Sequence, residues 1–220
     1  MDGRIPRSVI RRFPRYLWRI QELREAGECW VSSQALAEAL GVTSSTVRQD
    51  LSHVDFRGVA KRGYELERLE AVLAQFLGVG IDRVVVIVGA GNLGMSLARH
   101  QRFARRGFHV VGIFDTDPRV VGRRVGELTV SAMAALSQTV RKRKVELGMI
   151  AVPPAAAQAV ADQLVRAGVK GLLNLAPTHV TAPPAIPVVD ARIAASLLEL
   201  SCAVKIRESG TPRRRARGAG

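Results

Sequence analysis

The sequence predicts an α/β protein in which a winged helix-turn-helix domain precedes a doubly wound parallel sheet. Three observations predict this fold. Two short helices meet at Gly41, strand-like and helix-like segments alternate from Arg83 onward, and a glycine-rich turn, 89–94, joins the first of those strands to the next helix. The predicted units are a winged-helix domain (1–79), a Rossmann domain (80–190), a terminal helix (191–208) and a disordered basic tail (209–220).

The N-terminal segment has the pattern of one long helix followed by two short ones. Apolar residues recur at three- and four-residue spacing from position 6 to about 27. Gly41 permits a tight turn between the short helices. Residues 54–64 then suit a short basic hairpin or wing, and residues 65–78 an amphipathic helix. The N-cap candidates are Ser32 or Ser33 for the first short helix and Thr43 or Ser44 for the second.

The second half of the chain alternates between strand and helix patterns. The β-branched run 84–88 is typical of a central parallel strand that is buried on both faces. A helix is predicted from the glycine-rich turn to about Arg106, and the next strand ends at Asp115. Further strands are predicted at 147–152, 171–176 and 186–189, with a helix at 155–168. The last helix, about 191–207, is apolar on one face through Ile193, Leu197, Leu200 and Val204.

The chain is strongly basic, with 33 Lys and Arg against 19 Asp and Glu and a net charge of +14. This balance favours a polyanionic partner whose binding weakens with salt. No apolar run is long enough to span a membrane and the N-terminus lacks the apolar stretch of a signal peptide, so a cytoplasmic protein is expected. Cys29 and Cys202 do not pair with the histidines at metal-ligand spacing, and no metal site is expected.

The glycine-rich turn matches the dinucleotide-binding pattern G-x-G-x-x-G. It follows a predicted strand, opens a helix, and has an acid, Asp115, at the end of the next strand. A carboxylate at this position accepts hydrogen bonds from the adenosine ribose and disfavours a 2′-phosphate, which indicates NAD(H) rather than NADP(H). The alternative is a turn that binds nothing. The residues of the turn are Gly89, Ala90, Gly91, Asn92, Leu93 and Gly94.

The second short helix has the composition of a DNA-recognition helix. Its hydroxyl side chains suit phosphate contacts, while Arg48 and Gln49 can contact bases or phosphates. Two basic residues of the wing can reach the flanking DNA backbone. The alternative is a helical hairpin that serves dimerisation alone. The predicted DNA-binding residues are Ser44, Ser45, Thr46, Arg48, Gln49, Lys61 and Arg62.

The order of these parts resembles the Rex family of redox-sensing transcriptional repressors, from Ile5 to about Val204. The resemblance lies in IPRSVIRRFPRYL (5–17), SSQALAEALGVTSSTVRQDLS (32–52), VGAGNLG (88–94), FDTDPRVVG (114–122), AVPPAAAQAVADQLVRAGVKGLLNLAP (151–177) and the terminal LLELS.

The resemblance implies a homodimer whose terminal helix is swapped into the partner's dinucleotide domain. It also implies operator binding that is favoured by NAD+ and lost when NADH stabilises a form that does not bind DNA. The helix-turn-helix region implied is Tyr16 to Asp55. The implied nucleotide site extends to Val152, Pro153 and Asn174.

Several residues depart from the family's usual pattern. The family has Arg, Tyr and Asp where this chain has Trp18, His100 and Arg192, and those three family residues resemble a polar switch between nucleotide and DNA sites. Leu175 replaces a Phe, and Asp55 stands at a usual glycine of the wing.

Three hypotheses follow. The first is a dimeric repressor, not an enzyme, that responds to NAD(H). The second is a nicotinamide-dependent oxidoreductase with a DNA-binding appendage, although no acid–base constellation is evident in the sequence. The third is a related repressor that no longer responds to NADH.

Overall fold

The computed structural model describes residues 5–210, without the side chains of the last two. The chain divides between Ile81 and Asp82 into two compact units. Residues 211–220, most of the predicted basic tail, lie outside the described residues, and 209–210 form the end of the last helix.

The first unit is a three-helix core with a fourth helix and a two-stranded sheet. Its elements are α1 (Arg7–Glu25), β1 (Trp30–Val31), α2 (Ser33–Leu40), α3 (Ser44–Ser52), β2 (Tyr64–Glu65) and α4 (Leu66–Leu77). The apolar stripe of α1 is buried against the other helices, with Phe13 and Ile20 fully enclosed. The helix-turn-helix prediction is confirmed.

Side-chain caps fix where the two short helices begin. The Ser32 hydroxyl accepts the Ala35 N–H, and the Thr43 hydroxyl accepts the Thr46 N–H. Ser32 and Thr43 are therefore the N-caps, since each satisfies an N–H that has no partner within its helix. Gly41 ends α2 in the left-handed conformation, with φ of 68°.

The predicted wing, 54–64, contains less strand than a hairpin. Only one bridge, Val59 to Gly63, forms within it, and the strand pairing runs instead from Tyr64 to Val31. Gly63 has φ of +93°, and a Cβ there would lie 2.3 Å from the carbonyl oxygen of Val31. A side chain at this position is therefore excluded by the close approach of β1.

The second unit is a seven-stranded sheet with helices on both faces. Its elements are β3 (Arg83–Val88), α5 (Asn92–Ala98), β4 (Phe108–Asp115), β5 (Arg124–Val125), β6 (Leu128–Ala132), α6 (Leu136–Arg143), β7 (Leu147–Ile150), α7 (Pro154–Ala167), β8 (Gly171–Asn174), β9 (Val188–Asp190) and α8 (Ile193–Gly210). The strand order is β5-β6-β4-β3-β7-β8-β9, and all neighbours except β5 and β6 are parallel.

The sheet buries two apolar layers and leaves a crevice where its order reverses. One face packs against α6 and α7, and the other against α5. The chain leaves β3 first toward β4 and β6, and later returns on the other side of β3 to β7 and β8. Ligands of doubly wound sheets bind at the carboxyl ends of the strands beside such a reversal.

One predicted helix of this unit was too long, and two short strands were not predicted. The helix after the glycine-rich turn ends at Ala98 rather than near Arg106, and a single 3-10 turn, 104–106, follows it. Phe103 packs against the apolar layer beneath α5, and this burial outweighs the helical propensity of the segment. The short strands β5 and β6 were not predicted; they pair through the tight turn at Gly126, with φ of +62°.

Glu146, which precedes β7, joins the beginnings of neighbouring strands. Its carboxylate accepts hydrogen bonds from Lys170 Nζ at 2.9 Å and from Arg83 Nη1 at 2.8 Å. The hydrogen bond from Lys170 and the positive charge of Arg83 lower the pKa of Glu146 below its usual range. A lowered carboxyl pKa stabilises the fold above the unfolded value of 4.5, and this stabilisation is lost as the pH falls through the folded value.

Glu146→Gln is therefore expected to lower the urea midpoint at pH 7, with the difference from the unaltered protein shrinking as the pH falls below about 4.5. Urea unfolding followed by circular dichroism between pH 3 and 7 measures this effect. Glu127→Gln is the matched control, because Glu127 is exposed and forms no ion pair within residues 5–210. An equal difference at every pH would contradict the assignment of the effect to the charge of Glu146.

Candidate functional site

A crevice of about 370 Å³ opens at the carboxyl ends of β3, β4 and β7. This volume is within the range of small-molecule sites. Its ionisable lining residues are two carboxylates, Asp115 and Asp117. The other lining residues are Val88, Gly89, Ala90, Gly91, Thr116, Val120, Met133, Ala151, Val152, Pro153, Ala156 and Val160.

The three glycines of the turn are required for different reasons. Gly89 has φ of +106°, and a Cβ there would lie 2.2 Å from the carbonyl oxygen of Ala151. A Cβ on Gly94 would lie 1.8 Å from the carbonyl oxygen of Gly89. At Gly91 the φ is −72° and a Cβ would meet no atom within 4 Å. Packing therefore explains Gly89 and Gly94, whereas packing among the described residues does not require a glycine at position 91.

Asp115 is fixed beside this turn by two backbone hydrogen bonds. Its Oδ2 accepts the N–H of Ala90 at 2.6 Å, and its Oδ1 accepts the N–H of Asp117 at 2.9 Å. An ionised carboxylate has about four acceptor sites, so each oxygen keeps capacity for a further donor. The end of β4 and the first turn after β3 therefore present a rigid carboxylate to the crevice.

Six of the ten predicted nucleotide-site residues line the crevice, and four do not. Asn92, Leu93 and Gly94 form the first turn of α5, outside the lining. Asn174 is fully buried: its Nδ2 donates to Thr178 O and to the Asp190 carboxylate, both at 2.7 Å, and its Oδ1 accepts the Ala176 N–H. The Asn174 amide therefore holds the segment after β8 against β9.

Sequence reasoning missed part of the crevice. Val120, Met133, Ala156 and Val160 supply apolar walls, and none of them was a predicted site residue. Asp117 had a signal, because it lies two residues after Asp115 in the FDTDP stretch. Its side chain holds Arg119 in a bidentate pair, which lowers the pKa of Asp117 through a hydrogen bond.

The predicted recognition helix, α3, presents a polar face opposite its buried one. Val47 and Leu51 point into the core, while Ser45, Arg48 and Gln49 are exposed. Ser44 and Thr46 are half-buried at the first turn. The Arg48 guanidinium donates to the Ser33 hydroxyl at 3.3 Å, which ties it to the beginning of α2.

The two predicted basic residues of the wing are also exposed. Lys61 has a left-handed backbone, with φ of +62°, at the tip of the wing. The Arg62 guanidinium lies 4.0 Å from the centre of the Trp30 ring. This cation–π contact holds Arg62 against β1, and a role for Trp30 was not predicted.

The three residues that depart from the family's switch pattern lie in different surroundings. Trp18 is 51% exposed on α1. His100 contacts the Phe103 ring edge-to-face at 5.0 Å. The Arg192 guanidinium lies 3.5 Å from the Asp190 carboxylate.

Residues 5–210 contain neither a membrane-spanning helix nor a metal-binding cluster. No helix in this range is both long and apolar enough to cross a bilayer. No group of three or more His, Cys, Asp or Glu side chains in it could hold a metal ion.

Two family models match the chain. Residues 4–52 match the model described as "Putative DNA-binding protein N-terminus", and residues 81–178 match the model described as "CoA binding domain". The first match lies within the first structural unit, and the second begins at Ile81, the last residue of that unit, and extends through the second unit to residue 178.

Curated relatives of similar sequence are named as redox-sensing transcriptional repressors. The redox-sensing transcriptional repressor Rex of Carboxydothermus hydrogenoformans is 40% identical over 84% of this chain and 89% of its own length. Rex 1 of Thermotoga maritima is 37% identical over 95% of this chain and 100% of its own length.

Solved structures agree with these relatives. The structure of RSP with β-NADH has a TM-score of 0.84 and 33% identity, covering 94% of this chain and 97% of RSP. RSP with β-NAD+ and operator DNA has the same TM-score and identity, covering 94% and 95%. RSP alone is described as a Rex-family repressor. This chain therefore belongs to the Rex family of redox-sensing transcriptional repressors.

Proposed function

We propose that this protein represses transcription by binding operator DNA, and that the NADH/NAD+ ratio controls this binding. The observation that carries the proposal is the open space at Gly91, beside a fixed Asp115 carboxylate at the sheet reversal. A pyrophosphate can approach the backbone at Gly91, and Asp115 can accept ribose hydroxyls. RSP, the similar repressor, binds both NADH and NAD+.

The composition of the crevice supports a nucleotide that acts as a signal. Its ionisable lining is limited to Asp115 and Asp117, both already hydrogen-bonded. A hydride-transfer enzyme needs an acid or base near the substrate carbonyl. The bound dinucleotide in this proposal shifts the population of DNA-binding forms and is not consumed.

The exposed face of α3 is the proposed DNA-reading surface. Ser45, Arg48 and Gln49 are accessible there, and Arg62 in the wing is oriented by Trp30. The net charge of +14 favours approach to the DNA backbone. The proposed location is the cytoplasm, where the protein has access to operator DNA.

The exposed surface of α8 supports a homodimer in which this helix packs on the partner subunit. Its large apolar side chains are between 47% and 73% exposed. Leu197 and Leu200 lie on one side, while Leu198 and Ile206 lie more than 100° around the helix from that side. A helix that is apolar on more than one side is normally buried from several directions. The large exposed apolar side chains are Ile193, Leu197, Leu198, Leu200, Val204 and Ile206.

The test is a DNA-binding titration with both nucleotides. An operator is first selected from a random duplex library, and its complex with the protein is then titrated with NAD+ and with NADH. NADH binding is followed separately by fluorescence. We expect release of DNA by NADH at concentrations that leave the complex intact with NAD+. Arg48→Ala is the control: it should lose operator affinity and keep NADH binding.

A second candidate function has its own supporting observation. Trp18, His100 and Arg192 replace the residues that resemble the family's polar switch, and Arg192 is engaged with Asp190. A repressor that binds the nucleotide without releasing DNA would keep its complex when NADH saturates the crevice. NADH oxidation with carbonyl substrates, without any DNA binding, would instead support the oxidoreductase.

A further inference from the structure

A buried carboxylate joins α1 to the recognition helix. Asp50 on α3 is 1% exposed. Its Oδ2 and Oδ1 accept hydrogen bonds from Arg12 Nε at 2.5 Å and Arg12 Nη2 at 2.7 Å. The Tyr16 hydroxyl donates to Oδ2 at 2.8 Å. Both oxygens of the carboxylate are therefore held by two side chains of α1, in a bidentate geometry that defines direction as well as distance.

A second contact joins α1 to the other helix of the pair. Arg15 Nη2 donates to the carbonyl oxygen of Leu40 at 3.0 Å. Leu40 is the last residue of α2, where carbonyl groups have no partner within the helix and a cation is favoured. One side of α1 thus contacts the end of α2 and the last turn of α3.

Asp50 faces away from the side chains that would meet DNA. Arg48 and Gln49 precede it directly and are exposed, whereas Asp50 lies on the buried face with Val47 and Leu51. The apolar contacts of those two residues have no directional preference, and a helix can rotate slightly over them. The hydrogen bonds of Asp50 do have a directional preference, so they restrict rotation of α3 about its own axis.

Stability alone does not explain a buried ion pair. Desolvation of the two charges cancels much of their attraction, and well-packed apolar residues often stabilise as much or more. What the ion pair contributes beyond stability is a fixed orientation of α3. Side chains extend about 5–6 Å from a helix axis, so a rotation of about 20° moves their ends by about 2 Å, which is enough to break a base contact.

We propose that Asp50, held by Arg12 and Tyr16, is a positioning residue that sets the rotation of α3 and thereby the sequence preference of the protein for its operator. The proposal rests on the proposed DNA-binding function. It adds that discrimination between operator and other DNA depends on a buried carboxylate, Asp50, that does not itself contact DNA.

The test compares two affinities, for the selected operator and for scrambled DNA of the same length. Asp50→Asn is expected to lower operator affinity at least tenfold and to change scrambled-DNA affinity less than threefold. Tyr16→Phe and Arg12→Lys keep the packing and the charge, respectively, and should lower the ratio of the two affinities about three- to tenfold. The dependence of operator affinity on salt should keep its slope for Asp50→Asn and Tyr16→Phe, because neither removes a phosphate contact.

Arg11→Gln is the matched control. It removes a charge from the same helix, and Arg11 is exposed. Its two affinities should fall together, if at all, and their ratio should stay within twofold. Unfolding midpoints of all variants show which ones are folded; if Asp50→Asn is not, Tyr16→Phe and Arg12→Lys decide.

An unchanged affinity ratio in folded Tyr16→Phe and Arg12→Lys would overturn the proposal, since Asp50 would then serve stability alone. The absence of any operator preference in the unaltered protein would instead contradict the proposed function, and this proposal with it. The two failures are distinguishable because the second appears before any substitution is made.

Discussion

Gly91→Ala is expected to lower NADH affinity about 10- to 100-fold, or about 1.4–2.8 kcal/mol, while the protein stays folded. A Cβ at Gly91 would have no neighbour within 4 Å, so the substitution does not disturb packing. The methyl group would instead occupy space that the pyrophosphate needs. Gly91 is the N-cap of α5. Alanine is a poorer N-cap than glycine, so the free energy of unfolding should fall by about 1 kcal/mol or less. NADH fluorescence titration and urea unfolding measure the two quantities.

Gly94→Ala is the matched contrast. Its Cβ would lie 1.8 Å from the carbonyl oxygen of Gly89, so the backbone must move. The free energy of unfolding is expected to fall by about 2–4 kcal/mol. Both tryptophans, Trp18 and Trp30, lie in the first unit, whereas Gly94 lies in the second. Circular dichroism should therefore show the full decrease in the free energy of unfolding, and tryptophan fluorescence a smaller decrease. Wild-type NADH affinity in Gly91→Ala would show that the crevice is not the nucleotide site.

Leu197→Glu is expected to dissociate the proposed dimer and to lower operator affinity about 100-fold or more. The substitution places a charge within the apolar side of α8, where an interface would have to bury it. Loss of the second DNA-binding unit removes the gain from simultaneous binding to two half-sites, which commonly amounts to 10²- to 10⁴-fold. Light scattering after gel filtration and operator titration measure the two effects.

Leu197→Met is the control, because it changes shape but keeps an apolar side chain of similar volume. It should remain a dimer with nearly unchanged operator affinity. A Leu197→Glu protein that stays dimeric and binds operator normally would show that α8 is not the dimer contact.

The sequence predicted those parts of the fold that local chemistry determines. The helix-turn-helix followed from cap residues and Gly41, and the parallel sheet followed from apolar runs between glycine-rich turns. The end of α5 could not be predicted, because Phe103 leaves the helix to pack in a core made by distant strands. The short strands β5 and β6 carry no long apolar run, so their pairing had no strong sequence signal.

The candidate sites divide in the same way. The glycine-rich turn and Asp115 could be predicted because the G-x-G-x-x-G pattern describes one turn and the end of the next strand. Asn174 was expected at the nucleotide, yet its buried amide donates to the carbonyl oxygen of Thr178 and to the carboxylate of Asp190. Asp50 gave no signal because its partners, Arg12 and Tyr16, are more than 30 positions away. Contacts of this kind depend on how helices meet, which no local pattern specifies.

The apolar surface of α8 has a consequence for how the protein is made. A subunit that exposes such a helix to water is drawn to other apolar surfaces, including those of unrelated chains. In the proposed homodimer, newly synthesised subunits would therefore have to meet one another before they aggregate, and assembly would be the final step of folding. In such a protein the measured stability depends on subunit concentration, and the amount of repressor made by the cell influences how much of it is native.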